Sequence, residues 1–283
     1  MKLVLNEVNQ IYKEYIGKKT VQLRKIKDDE RVPISNAQLM TRRLEVWNSN
    51  EEIKNSYFNY SFDTGDSIIK YSDIEIVIDL DSQYLRNVTS RSPRNKNNGS
   101  LLLSENIDEA NAIYEELKKQ PDVIVFDKRD KRKLKNLNRW LKKEEVKTDP
   151  LFRVIARERS LLNDYTDFIF SEGKKEFNYD RMMGIFLASD KGILPEMRTL
   201  CFCNLECRSA INGGDNIDAR GYLIGVDLEA LSAKDKIFPR MYKSHVRSFT
   251  KEDLDAFDNA TNQLEKILNP ELLNPILDLR EKL

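Results

Sequence analysis

A chain of 283 residues in which 47 basic side chains meet 47 acidic ones has no global field to steer it toward DNA or an anionic membrane, so any such preference must be local. With 40% hydrophobic and 33% charged residues it has a globular composition, long enough to bury a substantial core in one large domain or two smaller ones. No run of about 18 apolar residues is present to span a membrane, MKLVLNEVNQ is too polar for a signal-peptide core, and three cysteines within 201–207 make no secreted disulfide framework; the expectation is a cytoplasmic protein.

In chain order, Val4, Val8, Ile11, Tyr12, Tyr15 and Ile16 share a helical face that Gly17 would stop, and Thr20–Ile26 alternates like a strand. Asn36 predicts a capped helix to about Trp47. Ser56–Phe62 is aromatic and alternating, Asp63-Thr64-Gly65-Asp66 is a turn signal, and Ser67–Tyr71 reads as the return strand. Tyr71–Asp81 is the most strand-like stretch, and Arg86–Ser100 is a basic surface loop. Leu101–Leu103 predicts a short strand, Ser104 caps a helix to Lys119, and Val123–Phe126 follows as a buried strand. Lys128–Lys147 has helical period, with Leu134, Leu137 and Leu141 on one face, and a further helix runs to about Ser171.

Thr148-Asp149-Pro150 suggests a boundary between regions 1–149 and 150–283, although a single domain fits as well. Tyr179–Ser189 is ambiguous between helix and strand. Met197–Cys203 and Gly221–Leu228 read as strands, and Ser248–Leu283 as two amphipathic helices. The expected fold class is α+β: antiparallel sheet in the N-terminal third, a helical middle and a helical C-terminus.

Three constellations carry chemistry. On Tyr71–Asp81, carboxylates two apart share a strand face, so Asp79 and Asp81 could hold Mg²⁺ for phosphoryl or nucleotidyl transfer. SDIEI (72–76) resembles the acidic strand of nucleotidyltransferases, yet Gly65-Asp66 stands where that family has Gly-Ser. IVIDLDS (76–82) is similar to the first motif of haloacid-dehalogenase phosphatases, with Gln83 where Thr or Val belongs. VIDLD also resembles the opening of an archaeo-eukaryotic primase core, without its later motifs in order. Each resemblance stops at one motif, and no family is assigned.

The second constellation is basic: Lys128, Arg129, Lys131, Arg132, Lys133, Lys135, Arg139, Lys142 and Lys143, with Asp130 the one acid among them and Trp140 alongside. Such a helix neutralises phosphates without reading bases; the plainer reading is a solvated charged face. The third is Cys201, Cys203 and Cys207 with His245. These four could complete a zinc site, but alternation with Leu200, Phe202 and Leu205 points to core packing. With a single histidine, zincin and two-His finger motifs are excluded.

These observations favour a non-enzymatic intracellular binding protein that contacts DNA, RNA or a nucleic-acid-handling complex through 128–143 and needs no cofactor. The alternatives are a Mg²⁺-dependent transferase using Asp79 and Asp81, and an assembly factor that meets a protein partner, or a second copy, through its C-terminal helices.

Overall fold

The structure, a computed structural model, describes residues 3–6, 10–71, 75–89, 91–127, 134–188 and 194–237, the last five without their side chains. The chain groups into two compact units, Met1–Lys234 and Asp235–Leu283, and the described elements belong to the first apart from the end of the final helix.

The chain runs β1 (Tyr12–Lys18), α1 (Lys19–Asp28), β2 (Val32–Pro33), α2 (Asn36–Val46), α3 (Glu51–Phe58), β3 (Phe62–Tyr71), β4 (Glu75–Asp79), α4 (Gln83–Arg86), β5 (Leu101–Leu102), α5 (Ile107–Leu117) and β6 (Val123–Asp127). It continues through α6 (Lys143–Thr148), α7 (Pro150–Ala156), α8 (Arg159–Phe177), β7 (Ile185–Leu187), β8 (Glu196–Phe202), β9 (Ile211–Gly213), β10 (Arg220–Val226) and α9 (Leu228–Ile237).

The expected fold class is overturned. Instead of an antiparallel sheet confined to the N-terminal third, ten strands drawn from Tyr12 to Val226 form one mixed sheet, with the path β1-β10-β3-β8-β9-β7. The β10–β3 and β7–β9 pairs are parallel, and the other strand pairs antiparallel. Strand β3 is the hub. One edge carries β8 along its length, while the other meets β10 at Asp63 and β4 from Ser67 onward.

Burial on both faces of this sheet explains the misread elements. Ile68, Ile76 and Ile78 face a core shared with α2, α3, α7 and α8, whereas Ile69 and Val77 face a second core under α1 and α5. Tyr12 and Tyr15, three apart, would share a helical face but fall on opposite faces of a strand. They feed the two cores from β1, whose seven residues all pair with β10. The predicted strand Thr20–Ile26 is instead part of helix α1, because Leu23 and Ile26 are the buried pair and Val21 is exposed.

Similarly, Ser56–Phe58 close helix α3. Asn50 caps it by accepting from the Ile53 N–H at 3.0 Å, and Glu51 and Glu52 complement its N-terminal dipole. Helix α2 forms where expected, but its cap is Ser35, in a Ser35–Gln38 capping box, and Asn36 is its first residue and not the cap. The helix predicted over 128–147 is helical, among its described residues from 135 on, within α6; Lys135–Lys142 runs as turns with bridges Leu137–Ile185 and Leu141–Met182. Asp149 then accepts from the Leu151 and Phe152 N–H groups, and Pro150 sits at N1 of α7.

Candidate functional site

The Asp63–Asp66 stretch is no turn but a bulge inside β3, which takes four steps between Asp63 and Ser67 where β8 takes two. The bulge turns Asp66 fully inward. Its carboxylate accepts from the Asn36 N–H (2.7 Å), Asn36 Nδ2 (2.9 Å), the Asp81 N–H (2.9 Å) and Arg157 Nη2 (3.1 Å). Burial still pushes the Asp66 carboxyl up, against the pull of Arg157 and the two backbone N–H groups.

Arg157, held at φ 63° between α7 and α8, also donates through Nη1 to Asp81 at 2.7 Å. Asp81 and Asp79, the pair nominated for Mg²⁺, thus look at different partners. Asp79 is buried beside the Ser67 hydroxyl at 3.4 Å, and desolvation raises its carboxyl to about 6 against hydrogen bonds from Ser82 and Ser67. A divalent cation would have to displace a guanidinium from Asp81 and find Asp79 among hydroxyl donors. The donor set does not fit one.

On the same bulge, Asp63 pairs with Lys19 at 2.6 Å, and both are essentially excluded from water, 3% and 1% exposed. Thr199 Oγ1 donates to Asp63 at 3.0 Å, and the Asp215 carboxylate stands 3.6 Å from the same ammonium. Asp63, Cys201 and Asp215 place potential metal-ligating atoms within 4.8 Å of one another. The Lys19 ammonium already supplies the cation there, so this group reads as an internal ion pair. Gly221 is required above it, since a Cβ would collide with Asp63 Oδ2. Cys203 and Cys207 join no group of three ligands among the described residues, and His245 lies outside them.

Of the predicted basic residues, Lys128, Arg129, Lys131, Arg132 and Lys133 lie outside the described residues. Arg139 donates to Asn136 and, at 2.8 Å, to Glu145; Lys143 pairs with Asp167 at 2.5 Å; Lys135 and Lys142 stand exposed. The Lys142 N–H, followed by Arg139, holds the Glu145 carboxyl below its usual range.

Beside them runs a half-exposed ladder that the sequence signalled only at Trp140. Phe177 stacks on Tyr179 (centroids 5.3 Å apart, planes at 12°), and the Arg208 guanidinium lies 4.4 Å over Tyr179 and 5.2 Å over Trp140. Trp140 in turn meets Phe186 at 4.6 Å. Arg181 donates to the Trp140 carbonyl at 3.4 Å, adding a third arginine to the patch.

Neither a family model nor a curated protein matches the chain. Among solved structures, the sheet and its helices resemble the chain described under "Accommodation of massive sequence variation in Nanoarchaeota by the C-type lectin fold", with a TM-score of 0.57 over 78% of this chain and 100% of that one. The fold is C-type lectin-like. At 15% identity the likeness is one of fold alone. No helix among the described residues is long and apolar enough to cross a membrane.

Proposed function

We propose that this chain is a non-enzymatic binding protein that meets single-stranded nucleic acid on the surface around Lys135–Lys143. The observation that carries the reading is Trp140 half-exposed among Arg139, Arg181, Arg208, Lys142 and Lys143. Aromatic faces interleaved with cations stack bases and neutralise phosphates together, each stacked base contributing about 1–3 kcal/mol. Exposed ion pairs such as Lys143–Asp167 hold about 0–1 kcal/mol, so a phosphate can replace the carboxylate. The run from Lys128 to Lys133 adds five cations and one acid in sequence.

The likeness in fold supports a binding protein over an enzyme: that neighbour is described as a case of massive sequence variation accommodated by the C-type lectin fold, which suits a constant core under a changeable recognition surface. The divergent partners of Asp79 and Asp81 give the transferase alternative no support.

With Trp47→Phe leaving Trp140 as the single tryptophan, oligothymidylate should quench its fluorescence saturably. The logarithm of affinity should fall with that of salt by roughly 0.7 per phosphate neutralised. Replacing Lys131, Arg132 and Lys135 with glutamine should shrink that slope by up to about 2 units. No binding at low salt would discard the reading in favour of an assembly factor with a protein partner.

A further inference from the structure

A cavity of about 340 Å³ lies where two helices end, α3 at Phe58 and α8 at Phe177. Its aromatic wall is Trp47, Phe58 and Phe177, the last 42% exposed, and its rim carries Glu51, Glu176 and Glu206. Trp47 and Phe58 pack edge-to-face with centroids 5.1 Å apart. Two helix C-termini concentrate partial negative charge at one place, and carboxylates add full charges to it.

The cavity already holds one cation of the chain's own. Lys54 Nζ sits 4.3 Å from the Trp47 ring centroid and 3.5 Å from Glu51. Of the three lining carboxylates, Glu51 meets this ammonium and Glu176 meets Lys175 at 3.6 Å. We propose that this cavity is a receptor for an alkylammonium group, whether of a small amine or of a lysine side chain on a partner, with Lys54 as the internal occupant that the ligand displaces. An aromatic wall gives a cation its π face, and the carboxylate rim selects positive charge. The cavity shares Phe177 with the aromatic ladder, but the proposal does not rest on the nucleic-acid reading, which stands on Trp140 and not on Trp47.

The test uses the full chain with Trp140→Phe, which leaves Trp47 as the reporter. Tetramethylammonium chloride and trilysine are titrated separately against sodium chloride at equal ionic strength. A saturable change in Trp47 emission with either amine, and none with sodium, is expected. Tighter binding of tetramethylammonium indicates a small-amine site, and tighter binding of trilysine a side-chain site; both uphold the proposal. Lys54→Met, which keeps the apolar stem, should tighten binding about two- to fivefold, and Glu206→Gln should weaken it by a similar factor. Emission that follows ionic strength alone, or an affinity indifferent to Lys54→Met, would overturn it.

Discussion

Removing the ammonium of Lys19 is the sharpest perturbation the fold offers. Lys19 and Asp63 are both shut away from water and 2.6 Å apart, so Lys19→Met leaves a buried carboxylate whose remaining side-chain donor is Thr199. Breaking a buried pair from one side costs about 3–5 kcal/mol, because the surviving charge has lost its solvation and its partner. Burial already pushes the Asp63 carboxyl up while Lys19 pulls it down; without Lys19 it rises further.

An acid whose folded pKa exceeds its unfolded value of about 3.9 retains stability below that value and loses it as pH rises toward the folded pKa, at roughly 1.4 kcal/mol per pH unit. The deficit of Lys19→Met should therefore be smaller at pH 5 than at pH 8 in urea unfolding with an unchanged m-value. Adding Asp63→Asn should recover most of the loss and flatten the pH dependence, since an amide oxygen can still accept from Thr199. A deficit under about 1 kcal/mol, or one equal at both pH values, would refute the reasoning.

Asp79 titrates in reach of ordinary buffers. With its carboxyl raised to about 6, wild-type stability should fall as pH climbs from 4 to 7, by up to about 3 kcal/mol, and Asp79→Asn should remove that fall in parallel urea curves. Thiol labelling followed by peptide mapping should modify exposed Cys207 first and leave Cys201, buried on β8 and pushed up by the Cys203 contact and by burial, unmodified in the native state. Equal labelling of Cys201 and Cys207 would contradict the packing of that strand.

The sequence was legible where local chemistry and tertiary burial agree. The apolar stripe of Ala110, Tyr114 and Leu117 made α5 readable, although its cap is Asn106 and not the expected Ser104, and the short apolar run Val123–Phe126 made β6 readable. It misled where the sheet buries both faces, so that β1 borrowed a helical period and α1 a strand-like one. The Asp63–Asp66 bulge was illegible for a different reason. A run of Asp, Thr and Gly is turn chemistry to any local reading, and the groups that make it a buried strand, Lys19 and Arg157, lie 44 and 91 residues from their partners. The ladder was equally hidden, assembled from Trp140, Phe177, Tyr179, Phe186 and Arg208 on separated segments. Trp140 gave a signal because it followed a charge run.

The position of β10 between β1 and β3 bears on how the protein is made. Strand β1 pairs with β10, and β2 does too. Every N-terminal strand before β3 must therefore wait for a partner about 200 residues later in the chain. At a synthesis rate of about 5–20 residues per second, that is ~10–40 s during which Tyr12 and Tyr15 have neither their core nor their ladder. Nascent chains halted before Arg220 should accordingly be protease-sensitive through Lys18 and should recruit chaperones. The order of emergence from the ribosome, and not the strength of any single contact, would then limit the yield of folded molecules.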